Sequence, residues 1–253
     1  MTAKAPTTDE MLLGLFRDLR DRPDGPAPSR KIALISTPRS GSKLFCKALI
    51  GTGRFGEPKE WMNFRYLSAY ATVMGSPNVD VGQYLDFVAR KTTSSNGVFA
   101  LNIHVEQFLQ WRKKGLDILK LGFKRYYRIY RGDRLAQALS LAKARITDQW
   151  SASNQARREL PPGGVPTVTV LEALRDIGVQ DAAYEELLAS QVRMTFRYED
   201  FSRDDEDFRR LLADCGIEHG DLAHIGSSKQ IQRDAADVQR YQQLRQYLGV
   251  DSL

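Results

Sequence analysis

The sequence predicts a three-layer α/β/α fold around a central, mainly parallel sheet. Short apolar, β-favouring runs alternate with amphipathic helical patterns, and the first run opens through a small-residue turn directly into a helix. No Gly/Ser linker or composition break divides the 253 residues, so one domain is expected over 31–253, preceded by an N-terminal helix and linker over 1–30.

Taken in order, residues 1–8 read as disordered, and an amphipathic helix starting at Asp9 carries Met11, Leu12, Leu15, Phe16 and Leu19. It packs on the fold's edge or reaches a partner subunit, packing being the favoured reading. The Pro/Gly-rich segment 21–29 ends it. Ile32, Ala33, Leu34 and Ile35 form the first strand, 36–42 a polar turn, and Leu44, Phe45, Ala48 and Leu49 the apolar side of a helix. Three glycines and Pro58 make 51–60 irregular, with helices expected at 61–73 and 81–91 around Gly75, Ser76 and Pro77. The segment 97–108 starts as a buried strand that delivers Asn102 and His104 near its C-terminal end, where ligands gather in open α/β sheets.

A strand over 126–130, a turn at Gly132 and a helix capped by Asp133 follow, with Leu135, Leu139, Ala142 and Ile146 on one face. Segment 151–167 reads as a loop or lid over a site. Two helices (170–177 and 181–190), a strand (192–196) ending in RYEDF, a helix (204–215) and a tail helix (231–247) complete the chain.

Composition narrows the function. A hydrophobic fraction of 42% and a mean hydropathy of −0.42 fit a soluble globular protein, and no apolar run approaches bilayer-spanning length. No secretory pattern opens the chain, and Cys46 and Cys215 are too few for a disulfide framework, so a reducing cytoplasm is the expected compartment. Thirty-seven Lys and Arg against 31 Asp and Glu leave +6, a modest and dispersed excess. It suits an anionic nucleotide or acidic glycan; without a basic run or motif, no nucleic-acid partner is expected. No Cys/His spacing suggests a metal.

The chemistry concentrates at 36–42. Ser40, Gly41 and Ser42 place small side chains and approachable N–H groups where a helix begins, and the helix start favours an anion. Arg39 adds a full charge. The triphosphatase loop G-x-x-x-x-G-K-[ST] is absent, because Ser36 stands five residues before Gly41 and Ser42 follows it. By itself the stretch is either an anion loop or an ordinary βα turn with Ser at the helix cap.

Several blocks together resemble the Stf0 family, bacterial sulfotransferases typified by trehalose sulfotransferase. They are TPRSGSKLF, TGRFGEPKEW, GVFALNIH, YRGDRLAQALSLAKARITDQW and the FRYEDF turn, in that order. The resemblance implies a P-loop-like sulfotransferase fold and transfer of a sulfuryl group from 3′-phosphoadenylyl sulfate (PAPS) to a carbohydrate or glycolipid-like hydroxyl. Adenosine 3′,5′-bisphosphate is then the product, no metal is needed, and a homodimer is a possible assembly. The 5′-phosphosulfate falls to Pro38, Arg39, Ser40, Gly41, Ser42 and Lys43, with Arg39 the principal cation. Wider sulfotransferases hold the 3′-phosphate with an Arg and, eight residues later, a Ser. Ser140 matches the Ser, but Gly132 stands at the Arg position, leaving the displaced Arg131, Arg134 or another base to substitute. Trp150 also matches a family position.

Two residues compete as catalytic base. Glu60 aligns with the acid of a G-x-P-x-E segment, and His104 lies in N-I-H, which resembles a K-x-H pattern with Asn102 at the Lys position. A base is required because a sugar hydroxyl is a poor nucleophile until its proton has somewhere to go. Glu199 is expected to organise backbone amides. A catalytically impaired nucleotide-binding module is the alternative, motivated by Gly132 and Asn102; an ATP-dependent kinase lacks its loop and metal-binding acid.

Overall fold

The computed structural model describes residues 7–150, 155–217 and 235–249. Four parallel strands, β1 (Arg30–Ser36), β2 (Val98–His104), β3 (Arg125–Tyr130) and β4 (Val192–Arg197), form one sheet in the order β2-β1-β3-β4. Chain order reverses at β1, so a crevice for a ligand opens beyond its C-terminal end.

Period-two alternation sends successive residues of each strand into different layers. Ala33, Ile35, Phe99, Leu101, Ile103 and Tyr126 face one layer. That layer contains α1 (Thr8–Asp21), α3 (Phe64–Met74), α4 (Val81–Thr92) and α5 (Val105–Lys113). Ile32, Leu34, Val98, Ala100, Tyr127, Ile129 and Phe196 face α2 (Ser42–Gly51), α8 (Tyr198–Phe201) and α9 (Glu206–Asp214). The three-layer arrangement follows from this division. A third cluster joins α6 (Arg134–Thr147), α7 (Thr167–Leu187) and α10 (Ala235–Tyr247) beside β3.

The helix leading out of the β1 turn is pinned by Phe45, fully buried between Phe196 and Phe208 at centroid distances of 5.1 and 4.7 Å, with Phe201 edge-on at 5.0 Å. Burying one such ring contributes about 1.5–3 kcal/mol. On the other side, α1 buries Leu12, Phe16 and Leu19, so it is part of the core layer.

Several expected boundaries are corrected. The helix expected from residue 61 begins at Phe64, because Asn63 Oδ1 accepts from the Arg65 N–H and caps it there. The helices expected at 170–177 and 181–190 are one helix, α7, running through Gly178. Val170, Ala173, Ile177, Gln180 and Tyr184 keep a buried stripe through that point, which outweighs the roughly 1 kcal/mol cost of a helical glycine. Helix α5, which the strand-like start of 97–108 concealed, begins immediately after His104. The RYEDF turn contains one helical turn, α8.

Candidate active site

Residues 36–42 leave β1 and turn sharply into α2. Arg39 and Gly41 both have positive φ, 65° and 91°. Gly41 is required twice over: an added Cβ would also lie 2.3 Å from Cδ2 of Tyr198. Gln137 of α6 fixes the loop from behind, its Nε2 donating to Thr37 Oγ1 and the Pro38 carbonyl, both at 2.8 Å.

The loop carries donors that no group of the described residues satisfies. Ser40 is fully buried and its Oγ has no hydrogen-bond partner, an arrangement that costs about 1–3 kcal/mol unless a ligand completes it. No side chain caps α2, so its first N–H groups face the same space as the positive end of the helix dipole.

Arg39 crosses to α6, where Nε donates to Ser140 Oγ at 2.8 Å and Nη1 to the Trp150 carbonyl at 2.8 Å. The structure thus joins Arg39, Ser140 and Trp150 directly. Burial and the nearby Arg131 charge hold the Arg39 guanidinium below its usual pKa against the opposing effect of Tyr198. Lys43 is lowered too, by partial burial and by Arg39, with Glu60 pulling it back. Closely placed cations of this kind favour an anion among them. Trp150 is 37% exposed, with its indole N–H donating to Asp148 Oδ1 at 2.8 Å.

Arg131 is buried with its guanidinium carbon 4.8 Å from the centre of the Tyr198 ring. The Gly132 departure has a structural counterpart: an added Cβ would come within 2.5 Å of Nε and Nη2 of Arg197. Arg197 therefore fills the space beside Gly132. As the sequence suggested for this turn, Glu199 collects backbone amides, accepting from the N–H groups of Gly132 at 2.9 Å and Asp133 at 3.0 Å. Asp133 caps α6 through Oδ1 and accepts the Tyr241 hydroxyl of α10 on Oδ2 at 2.9 Å. Residues 151–154 of the expected lid lie outside the described residues, as do residues 218–234, which include the start of the expected tail helix.

Glu60 and His104 meet. The Lys59 carbonyl accepts from the Asn102 N–H at 2.9 Å, docking the loop along the open edge of β2. Buried Trp61 and the ion pairs of Glu57 with Arg22 and Lys59 hold the loop on either side. The Glu60 carboxylate then faces His104, with Oε1 3.3 Å from Nε2 and a third of the side chain still exposed. Its Oε2 accepts from Asn63 Nδ2 at 3.1 Å and Gln107 Nε2 at 2.9 Å. Burial alone would push the Glu60 carboxyl up, but the His104 charge and these hydrogen bonds hold it at about 2. His104 is raised: burial lowers it, and Glu60 with Glu106 and Ser36 more than compensates.

Oε1, which faces only His104 Nε2, is the less occupied oxygen. Sequence reasoning missed Ser36, Asn63, Gln107 and Gln137, which orient the site without belonging to a motif. Gln137 is wholly buried, and in the sequence its only signal is a polar residue set among the apolar residues of α6.

Among the described residues, no helix is long and apolar enough to cross a membrane. A family model described as Stf0 sulphotransferase matches residues 32–162, just over half of the chain. No curated protein matches the chain significantly.

Proposed function

The chain belongs to the Stf0 sulphotransferase family and is thereby a PAPS-dependent sulfotransferase, and on that premise we propose how its residues divide the work. The 36–42 loop receives the 5′-phosphosulfate through Ser40, Gly41, Ser42 and the start of α2, with Arg39 and Lys43 offsetting its charge. PAPS supplies the sulfuryl group. Arg131, with Ser140 and Trp150 nearby, takes the 3′-phosphate side; its burial against Tyr198 beside Arg39 supports that role.

Glu60 accepts the proton of the acceptor hydroxyl on Oε1. The single observation carrying this is the joint placement of Glu60 and His104 beside Lys43, which feels both Glu60 and Arg39. The developing negative charge on the leaving phosphate oxygen is met by the helix start and Arg39. The acceptor is a hydroxyl of a carbohydrate-type molecule. Gly132 and Asn102, the grounds for an impaired binding module, have other structural partners, Arg197 and Ser36.

Incubation with sulfur-labelled PAPS and a panel of glycans tests this reading, with Glu60→Gln and Arg39→Ala beside the wild type. Label is expected on a glycan with the wild type, and Glu60→Gln should lower transfer about 10²–10⁴-fold while retaining adenosine 3′,5′-bisphosphate binding. Unchanged transfer by Glu60→Gln would remove Glu60 from its role.

A further inference from the structure

The polar chain behind Glu60 does more than fill space. Ser36 Oγ donates its only proton to Asn102 Oδ1 at 2.8 Å, and the same oxygen lies 2.9 Å from His104 Nδ1. Having donated, Ser36 can meet Nδ1 only as an acceptor, so Nδ1 carries a hydrogen. The other ring nitrogen, Nε2, lies against Glu60 Oε1 at 3.3 Å. The register of the sheet builds this chain, pairing Leu34 with Asn102 and Ser36 with His104 on adjacent strands. Asn102 is 2% exposed and Ser36 1%.

We propose that Asn102, acting through Ser36, is a positioning residue that keeps the proton on His104 Nδ1, so that Nε2 is the nitrogen that titrates against Glu60. This rests on the proposed role of Glu60 as the group that accepts the hydroxyl proton. With the Nε2 proton present, Glu60 is a carboxylate held by a cation and is a weak base. Once that proton is lost, Glu60 and a neutral Nε2 share an open position for one proton. As the acceptor oxygen bonds to sulfur, the sulfur–oxygen bond to the adenylyl phosphate breaks and its electron pair leaves on the phosphate. The hydroxyl proton passes to Glu60 Oε1 and on to His104 Nε2. If Nδ1 were free to lose its proton instead, Nε2 would stay protonated and the open position would never form.

Among the described residues, Glu106 of α5, Lys43 and Cys46 of α2, and Tyr66 of α3 lie within electrostatic reach of the pair. The raised pKa of His104 places the activating limb of the pH profile above the ordinary His value. Buried Asn102 thus has a purpose that a Lys at this position would not serve.

The test combines ring ¹⁵N NMR with pH–rate profiles for the wild type, Asn102→Leu and Asn102→Asp. Only three histidines need assignment. Neutral wild-type His104 should carry its proton on Nδ1, and Asn102→Leu should move it to Nε2. Asn102→Leu should also lose the alkaline rise in kcat/KM by about tenfold or more with nucleotide affinity retained. Asn102→Asp, which still accepts from Ser36, should keep the tautomer and the rise, with the rise moved to higher pH by the added carboxylate. A wild-type proton on Nε2, or an Asn102→Leu protein with unchanged tautomer, would overturn the proposal. The tautomer is read without turnover, so failure of Glu60→Gln to impair transfer would count against the base assignment separately.

Discussion

Replacing Gly41 by Ala puts a single methyl group where the cradle has no room for one. The backbone there has φ 91°, and the new Cβ would lie 2.3 Å from Tyr198 Cδ2 and 3.2 Å from Phe201 Cζ. Holding an L-residue in left-handed geometry costs about 1–2 kcal/mol. Over-packing against a ring that is itself backed by Phe201 adds about 1–3 kcal/mol. The expected loss is therefore about 2–5 kcal/mol if the loop holds its shape, and less only if Tyr198 swings away from Arg131. Urea unfolding of the wild type, Gly41→Ala, Tyr198→Ala and the double variant separates the two contributions. Removing the ring first should relieve the steric part, leaving the double variant at least about 1 kcal/mol more stable than additivity predicts. A Gly41→Ala loss below about 1 kcal/mol, or strict additivity, would refute the close approach of Tyr198 to the loop.

Arg39→Ala removes charged hydrogen bonds to Ser140 and the Trp150 carbonyl together with a cation beside the 36–42 loop; on the proposed role, calorimetry should show adenosine 3′,5′-bisphosphate binding weakened by about 10–100-fold. For Glu60 the sign of the pH dependence follows from a folded value of about 2, below the unfolded value of about 4.3, so its stabilisation is present above that unfolded value and fades as pH falls toward 2. For His104 the folded value is raised, so its contribution is present below an unfolded value of about 6.5 and fades as pH rises through the folded one. The pair should stabilise fully between those two unfolded values, and Glu60→Gln should flatten both flanks in denaturation curves measured across pH. Asp214, held at about 2 by Arg193 against the opposing effect of burial, with Tyr127 and Arg125 assisting, lies at the far end of the sheet. Asp214→Asn should cost about 1.5–3 kcal/mol in urea unfolding and leave nucleotide affinity unchanged.

The strands and the β1 turn were legible because local pattern decides them. Apolar runs that must be buried on both faces, followed by small residues and a helical period, leave few alternatives. Helix α7 was not, since Gly178 and the polar residues around it read as a break until the packing of Ile177, Gln180 and Tyr184 is known. Glu60 and His104 could be named separately from their motifs, but their ion pair depends on a loop docking to the edge of β2 across about forty residues of sequence, which no local pattern encodes. The same holds for Gly132. In the sequence it is a missing arginine, and in the fold it lies against Arg197, which arrives from another strand.

The position of the nucleotide's phosphates tests the proposed division of labour most directly. A crystal structure with adenosine 3′,5′-bisphosphate should place the 5′-phosphate on the N–H groups at the start of α2, with Ser40 Oγ hydrogen-bonded to it, and the 3′-phosphate within reach of Arg131 and Ser140. A 5′-phosphate bound elsewhere, with the Ser40 hydroxyl still without a partner, would contradict it.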